Sequence, residues 1–263
     1  MDGTQVLPWT VEALTTDLVA LGIRPGSTLL THTSLSSIGY TAGGAHAVVL
    51  ALLDVLGPEG TLVVPTHLSE LSDPGRWERP PVPEAWWETI RDHMPAFDSR
   101  LTATYGMGAV PDTGRHLPGA LRSDHPAYSF SAFGPKAEMV TAGHMLSYGL
   151  GETSPLGRLY DLDGDVLLLG VGHMSDTSLH LAEHRSGWCG TTRQAAPVLV
   201  DGRRHWVEYE ELDVDTEDFV EVGAAASAAG LERKGTVGCA AARLLSQPAL
   251  VDFATAWFRQ HRA

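Results

Sequence analysis

The stretch TLLTHTSLSSIGYTAGGAHAVVLALLDVLGPEGTLVVP, residues 28–65, decides the fold. It opens on a short apolar run at 28–31 that reads as a buried strand, and it closes on a second such run, TLVVP, at 61–65. Between them, residues 45–56 are strongly apolar and long enough for a helix, bounded by Gly43–Gly44 before and Gly57–Pro58 after. Strand, helix and strand in that order predict an α/β layer architecture.

Upstream, Val11, Leu14, Leu18 and Leu21 recur at helical spacing behind Thr10, and Gly22 with Pro25–Gly26 stops them. Downstream, residues 69–101 lose all periodicity and are dense in proline and tryptophan, with one short helix expected at 84–93. An irregular insertion of that length is usually a lid or a binding wall. DVLLLGV at 165–171 is the clearest central strand, and a helix is expected at 176–185. A hairpin is expected at 197–209 with Asp201–Gly202 as its turn. An acidic stretch at 208–218 follows, and a helical tail is expected at 236–259. Neither an internal repeat nor a low-complexity linker is visible, so residues 1–263 are expected to form one domain.

The charge balance is lopsided. Against 18 Lys and Arg stand 32 Asp and Glu, a net charge of −14, so a phosphate-backbone partner is excluded and a cationic small molecule is favoured. Two cysteines do not make a disulfide framework in a chain of 263 residues. The N-terminus lacks the basic and apolar regions of a signal peptide, and no run is long enough for a membrane span. A cytoplasmic protein without a membrane partner is the expectation.

Three apolar strands each run into polar residues: His32 and Ser34; Thr66, His67 and Ser69; His173, Ser175 and Asp176. Ligands of open α/β sheets bind at the carboxyl ends of strands, which makes these ends the physical pointer to a site. The densest cluster is DTSLHLAEH at 176–184. On a helix Thr177, His180 and Glu183 or His184 share a face, and a carboxylate beside an imidazole supports it as a general base. A capped amphipathic helix with a hydrogen-bonded core histidine is the competing reading, and position alone leaves both open. His180, Glu183 and His184 also match the inverted zinc-protease pattern H-x-x-E-H, but that chemistry needs a third protein ligand and none is apparent. The serines at 34–37 ahead of Gly43–Gly44 could cradle phosphates, although a plain turn explains them as well. Cys189 invites a nucleophile reading, and the tryptophans at 77, 86 and 87 a stacking one; core packing is the simpler account of each.

The stretches LGIRPGSTLLTHTSLSSIGY, GPEGTLVVPTHLSELSDP, RSDHPAYSF, LGETSPLGRLYDLDGDVLLLGVGH and TSLHLAEHR follow one another through almost the whole chain. In them the chain resembles the aminoglycoside 3-N-acetyltransferases of the antibiotic N-acetyltransferase family. It implies a layered α/β/α sandwich around a central mixed sheet, interrupted by the Pro/Trp-rich insertion and completed by a C-terminal acidic region that binds substrate. The implied activity is acetyl transfer from acetyl-coenzyme A, as co-substrate and without a metal, to the 3-amino group of the 2-deoxystreptamine ring. The family's T-x-x-H-x-x-E motif falls on His180 as catalytic base, with Glu183 at its acidic position. The coenzyme A loop falls on His32, Thr33, Ser34, Leu35, Ser36, Ser37 and Gly43. The aminoglycoside's ammonium groups fall to Glu70, Asp73, Asp176, Glu211 and Asp213. The coenzyme is itself an anion, so Arg122 or Lys136 is expected to help hold it against the protein's net charge. Another amine acceptor, a zinc hydrolase and a non-catalytic binding protein stay open as alternatives, and so does a homodimer.

Overall fold

In the computed structural model, which describes residues 7–187 and 190–262, the apolar runs become the middle of a larger sheet. The strands are β1 (Thr28–Thr33), β2 (Thr61–Pro65), β3 (Leu121–Arg122), β4 (Phe130–Phe133), β5 (Asp165–Leu169), β6 (Thr191–Val200), β7 (Arg203–Leu212), β8 (Glu232–Val237) and β9 (Ala240–Ser246). Seven of them form one sheet in the order β3-β4-β2-β1-β5-β9-β8, and β6 with β7 forms a separate hairpin. β1 pairs in parallel with both β2 and β5, while β4, β3, β9 and β8 extend the sheet antiparallel on either side. The sheet is therefore mixed.

The helices are α1 (Val11–Leu21), α2 (Leu35–Ile38), α3 (Gly44–Leu56), α4 (Trp87–His93), α5 (Ala109–Arg115), α6 (Ala137–Thr141), α7 (Pro155–Asp161), α8 (Ser178–Ser186), α9 (Phe219–Ala228) and α10 (Gln247–His261). Alternation along the central strands divides the core in two, because successive side chains point to opposite faces. Leu29, Leu62, Val64, Leu167 and Leu169 pack with α1, α3 and α5. Leu30, Val63, Val166 and Leu168 pack with α6 to α10. Strands apolar on both faces demand helices on both, and the result is the three-layer α/β/α arrangement.

Several details depart from the sequence reading. Residues 232–246 are not helical: they form β8 and β9, and only α10 remains of the expected tail. The AAARLLS segment has helix-forming composition, but Ala240, Ala242 and Leu244 alternate into the α1–α3 layer while Leu245 faces the other. Tertiary packing overrides propensity there. The hairpin keeps its Asp201–Gly202 turn but spans 191–212, so Glu208, Glu210 and Glu211 lie within β7 rather than in a loop. The tryptophans at 77, 86 and 87 are outside both core clusters, with Trp86 57% exposed.

The parallel register matters most for function. β1, β2 and β5 all point the same way, so the polar residues that follow each of them converge on one edge of the sheet.

Candidate functional site

At that edge His32 and Thr33 from β1, His67 beyond β2, and Asp176, Thr177 and His180 beyond β5 line a cleft of about 290 Å³. Gly106 and Met107, which follow the insertion, also line it. The chain leaving β5 has to turn sharply at Gly170, where φ is +70° and an added Cβ would lie 2.6 Å from the Cβ of Ser37. Only glycine fits that close approach.

His180 sits on the first turn of α8 with its Nδ1 2.5 Å from Glu183 Oε2. Glu183 is fully buried, and its other oxygen accepts from Arg262 Nη1 at 2.5 Å and from the Asp215 backbone N–H at 3.0 Å. Arg262 also donates from Nε to Asp218 Oδ2 at 2.7 Å, pairs through Nη2 with Asp218 Oδ1, and donates from Nη2 to the Asp215 carbonyl at 2.8 Å. Its guanidinium lies 4.0 Å from the centre of the Phe258 ring. A carboxylate so anchored cannot turn away, so the His180 ring presents Nδ1–H to it and keeps Nε2 as the unprotonated nitrogen. That is the arrangement of an oriented general base. Sequence reading found His180 and Glu183 but missed Arg262, which no motif in the sequence marks. Arg262→Lys keeps the charge but cannot span Glu183, Asp218 and the Asp215 carbonyl together. Chemical denaturation should show it about 1–2 kcal/mol less stable, and an unchanged midpoint would refute the bracing role.

The other two cleft histidines are held neutral. Burial pushes His32 down to about 4, opposed by the charge of Asp176 and assisted by His180. His32 Nε2 lies 3.3 Å from Thr177 Oγ1. Burial likewise holds His67 well below the ordinary histidine range, with His32 and His180 adding to the effect. Its ring stands edge-on to Tyr128 and Phe130.

The structure divides the remaining predicted residues. Asp176 joins His32, Thr33 and His180 on the cleft, and its Oδ1 accepts from the Ser178 N–H at 3.1 Å, a bond made one residue ahead of the Thr177 cap position. Ser34, Ser36 and Ser37 sit where β1 passes into α2, their hydroxyls linked at 3.2 and 2.9 Å. Leu35 packs against the α1–α3 core, and Gly43, at φ +93°, precedes the first turn of α3. Glu70 lines a second cleft of about 460 Å³ with Arg76, Trp77, Arg79 and Tyr105. The two clefts are neighbours, because the Tyr105 N–H donates to the His67 carbonyl and the next two residues line the first cleft. Asp73 is gripped by Arg91 through two bonds of 3.2 and 2.7 Å and accepts from the Gly75 N–H. Glu211 is 2% exposed, accepts from the Gly149 and Leu212 N–H groups and does not line the cleft, while Asp213 is exposed.

Neither cation expected to help with an anionic donor is placed to do so. Arg122 donates to Thr66, Ser129 and the Thr102 carbonyl, which commits its head group to holding the insertion. Lys136 reaches Thr28, at the opposite end of β1 from His32. In the H-x-x-E-H pattern, Glu183 is bound by His180 and Arg262, and His184 Nε2 lies 4.0 Å from Glu211 instead. Among the described residues no three His, Cys, Asp or Glu side chains converge as a metal site. Cys189 and Trp188 lie outside the described residues.

The family model for aminoglycoside 3-N-acetyltransferases matches residues 30–259. The chain is similar to the SPbeta prophage-derived aminoglycoside N(3')-acetyltransferase-like protein YokD of Bacillus subtilis, 48% identical over 252 residues that cover 95% of this chain and 93% of that protein. The crystal structure of YokD superposes with a TM-score of 0.95 at 47% identity, covering 97% of this chain and 95% of that one. Aminoglycoside N(3)-acetyltransferase VII of Streptomyces paromomycinus is 37% identical over 269 residues, covering 96% of this chain and 92% of its own. AAC-IIIb, solved as a binary complex with CoASH, has a TM-score of 0.86 at 32% identity, covering 95% of this chain and 96% of that one.

Proposed function

The chain belongs to the aminoglycoside 3-N-acetyltransferase family, and on that premise we propose that its His180 cleft acetylates the 3-amino group of the 2-deoxystreptamine ring of aminoglycosides, using acetyl-coenzyme A. Such an activity confers resistance to those antibiotics. The observation that carries the reading is the Arg262-braced His180–Glu183 pair at the carboxyl ends of β1, β2 and β5. An aminoglycoside amine is largely protonated near neutral pH and cannot attack until it loses that proton. His180 Nε2 accepts it, and the neutral amine attacks the thioester carbonyl carbon. The N–C bond forms, the C–S bond breaks, and transfer is direct within a ternary complex. Ser34, Ser36 and Ser37, with the backbone N–H groups beside them, suit the donor: hydroxyls and amides bind phosphates without added positive charge. Asp176 and Glu70 line the two neighbouring clefts and are the candidate carboxylates for ammonium groups. No helix among the described residues is long and apolar enough to cross a membrane, and a cytoplasmic location fits the supply of acetyl-coenzyme A.

The engagement of Asp73 by Arg91 and the burial of Glu211 favour a second reading, in which the acceptor carries fewer ammonium groups than an aminoglycoside. One experiment separates the two. Free thiol release is followed with gentamicin-like, kanamycin-like, neomycin-like and apramycin-like acceptors, and the modified nitrogen of each product is mapped. Acetylation at the 3-amino position supports the first reading, whereas thiol release with simpler amines alone supports the second. Light scattering on the same preparation tests for the homodimer.

A further inference from the structure

Arg122, on the short edge strand β3, is a half-buried cation that bonds to neutral groups. Its head group reaches the point where β2 ends and β4 begins. There Nε donates to Thr66 Oγ1 at 3.1 Å and to Ser129 Oγ at 3.0 Å, and Nη2 donates to the Thr66 carbonyl at 2.8 Å. Nη1 donates to the Thr102 carbonyl, and the guanidinium lies 5.0 Å from the centre of the Phe97 ring. Burial lowers this group to about 10, with Arg115 adding to the effect and Asp112 opposing it. A charge drawn out of water to meet carbonyls and hydroxyls costs stability, so what it holds together calls for an account.

One side of the junction is rigid. Thr66 and Ser129 are fully buried, the Thr66 N–H donates to the Ser129 carbonyl at 2.9 Å, and Ser129 Oγ donates to the Thr66 carbonyl at 2.8 Å. The other side is a turn at the end of the insertion: the Thr102 N–H donates to the Asp98 carbonyl and Thr102 Oγ1 accepts from the Asp98 N–H, each at 2.9 Å. From there residues 102–107 run on without helix or strand. Tyr105 lines the second cleft with Glu70, and Gly106 and Met107 line the first with His32 and His180. This segment is therefore a wall that both clefts share. It is tied to the end of β2 through Arg122 at Thr102 and through the His67 carbonyl, which accepts from the Tyr105 N–H at 3.2 Å.

A wall without regular structure stays in place only through its attachments, and a binding wall fixed in advance costs less to order when the ligand arrives. Glu70 and Asp176, the candidate carboxylates for the acceptor, lie in the two clefts that this wall borders. The hydroxyls suited to the donor lie elsewhere, where β1 passes into α2. We propose that Arg122 is a positioning residue for the acceptor: it fixes residues 102–107 against the end of β2 and so sets the affinity for the acceptor, while the chemistry at His180 proceeds without it. The bonds that orient His180 run through Glu183, Arg262, Asp215 and Asp218, and Arg122 takes part in none of them. The inference rests on the acetyltransferase reading above and adds to it a residue outside the His180–Glu183 pair.

The test is the split between KM and kcat in Arg122→Gln and Arg122→Lys, each compared with the native protein using acetyl-coenzyme A and an aminoglycoside. In Arg122→Gln, KM for the acceptor should rise about tenfold, kcat should stay within about twofold, and KM for acetyl-coenzyme A should not move. Arg122→Lys keeps the charge, but a single ammonium cannot span the oxygens of Thr66, Ser129 and Thr102 together, and the same split is expected at about threefold. It carries the test if Arg122→Gln does not fold. General structural damage lowers the fraction of working protein, and with it kcat, at unchanged KM. That pattern, or an equal rise in both KM values, overturns the inference and leaves the acetyltransferase reading intact. Tryptic cleavage after the exposed Arg100, within the 98–102 turn, gives a readout free of activity. In Arg122→Lys it should be several-fold faster than in the native protein at a temperature where both are folded, and equal rates overturn the inference. Absence of transfer by the native protein to any amine overturns both the inference and the reading beneath it.

Discussion

His180→Ala is expected to lower kcat by about three orders of magnitude, with little change in KM for acetyl-coenzyme A. The size follows from what the side chain supplies. Without it, the amine's proton has no oriented acceptor at the cleft, and general base catalysis is worth about 10²–10⁴ in rate. Glu183→Gln should be milder, about tenfold to a hundredfold, because the amide can still hydrogen-bond the ring but no longer stabilises the imidazolium. The ordering of the two variants matters as much as the magnitudes. If Glu183→Gln were worse than His180→Ala, the carboxylate and not the imidazole would be the group that meets the substrate. Near-normal turnover of His180→Ala would remove the general-base role altogether. Mass spectrometry of the native protein during turnover adds an independent check: an acetylated Cys189 would replace direct transfer by a two-step route.

The parts of this fold that were legible in the sequence are those where composition and environment agree. β1, β2 and β5 are central and parallel, buried on both faces, so each shows a short apolar stretch, Leu29–Leu30, Leu62–Pro65 and Val166–Leu169. β8 is the opposite case: the edge strand ERKGTV is mostly exposed, and nothing in its residues marks a strand. β9 is made largely of alanine, whose local preference is helical, and only its pairing with β5 and β8 makes it extended. α9 directly follows the acidic stretch, and its apolar spacing of Phe219, Val222 and Ala226 is a weak signal in a segment rich in alanine. The site divides in the same way. His180 and Glu183 are three residues apart on one helix, so their contact is a local fact that spacing can predict. Arg262 meets Glu183 across 79 residues. Contacts of that kind depend on topology, and residue types alone do not announce them.

The second large effect is on stability. Unfolding free energy should fall steeply as pH drops from about 6.5 toward 4, because the folded protein buries several neutral histidines that the unfolded chain would protonate. Burial holds His32, His144 and His184 at about 4 and His125 at about 3, and it keeps His67 well below its ordinary range. Hydrogen bonding gives His125 an independent reason to stay neutral. His125 Nδ1 accepts from the Ala127 and Tyr128 N–H groups at 3.1 and 2.9 Å, so its proton is on Nε2, which donates to the Leu146 carbonyl at 3.0 Å. The stacked His144 ring, 4.7 Å away between centroids, donates from Nε2 to the Gly149 carbonyl at 2.7 Å and accepts from Ser123 at Nδ1. Protonating His125 would break two bonds to the backbone at once. The sign follows directly: between the folded and unfolded pKa values the unfolded state binds more protons, so stability rises with pH and is lost as pH falls. Each such histidine contributes a slope of about 1.4 kcal/mol per pH unit. Glu211, Asp124 and Asp165, pushed up by burial, work in the other direction, but they are three groups against five. Denaturant titrations at stepped pH should therefore show stability collapsing by several kcal/mol over the first unit below about pH 6.5. His144→Gln, which can keep both hydrogen bonds but cannot take a proton, should reduce the slope by about one proton's worth. A flat profile would mean that these rings are not held neutral in the fold. A steep profile unchanged in His144→Gln would place the proton uptake on the other buried histidines.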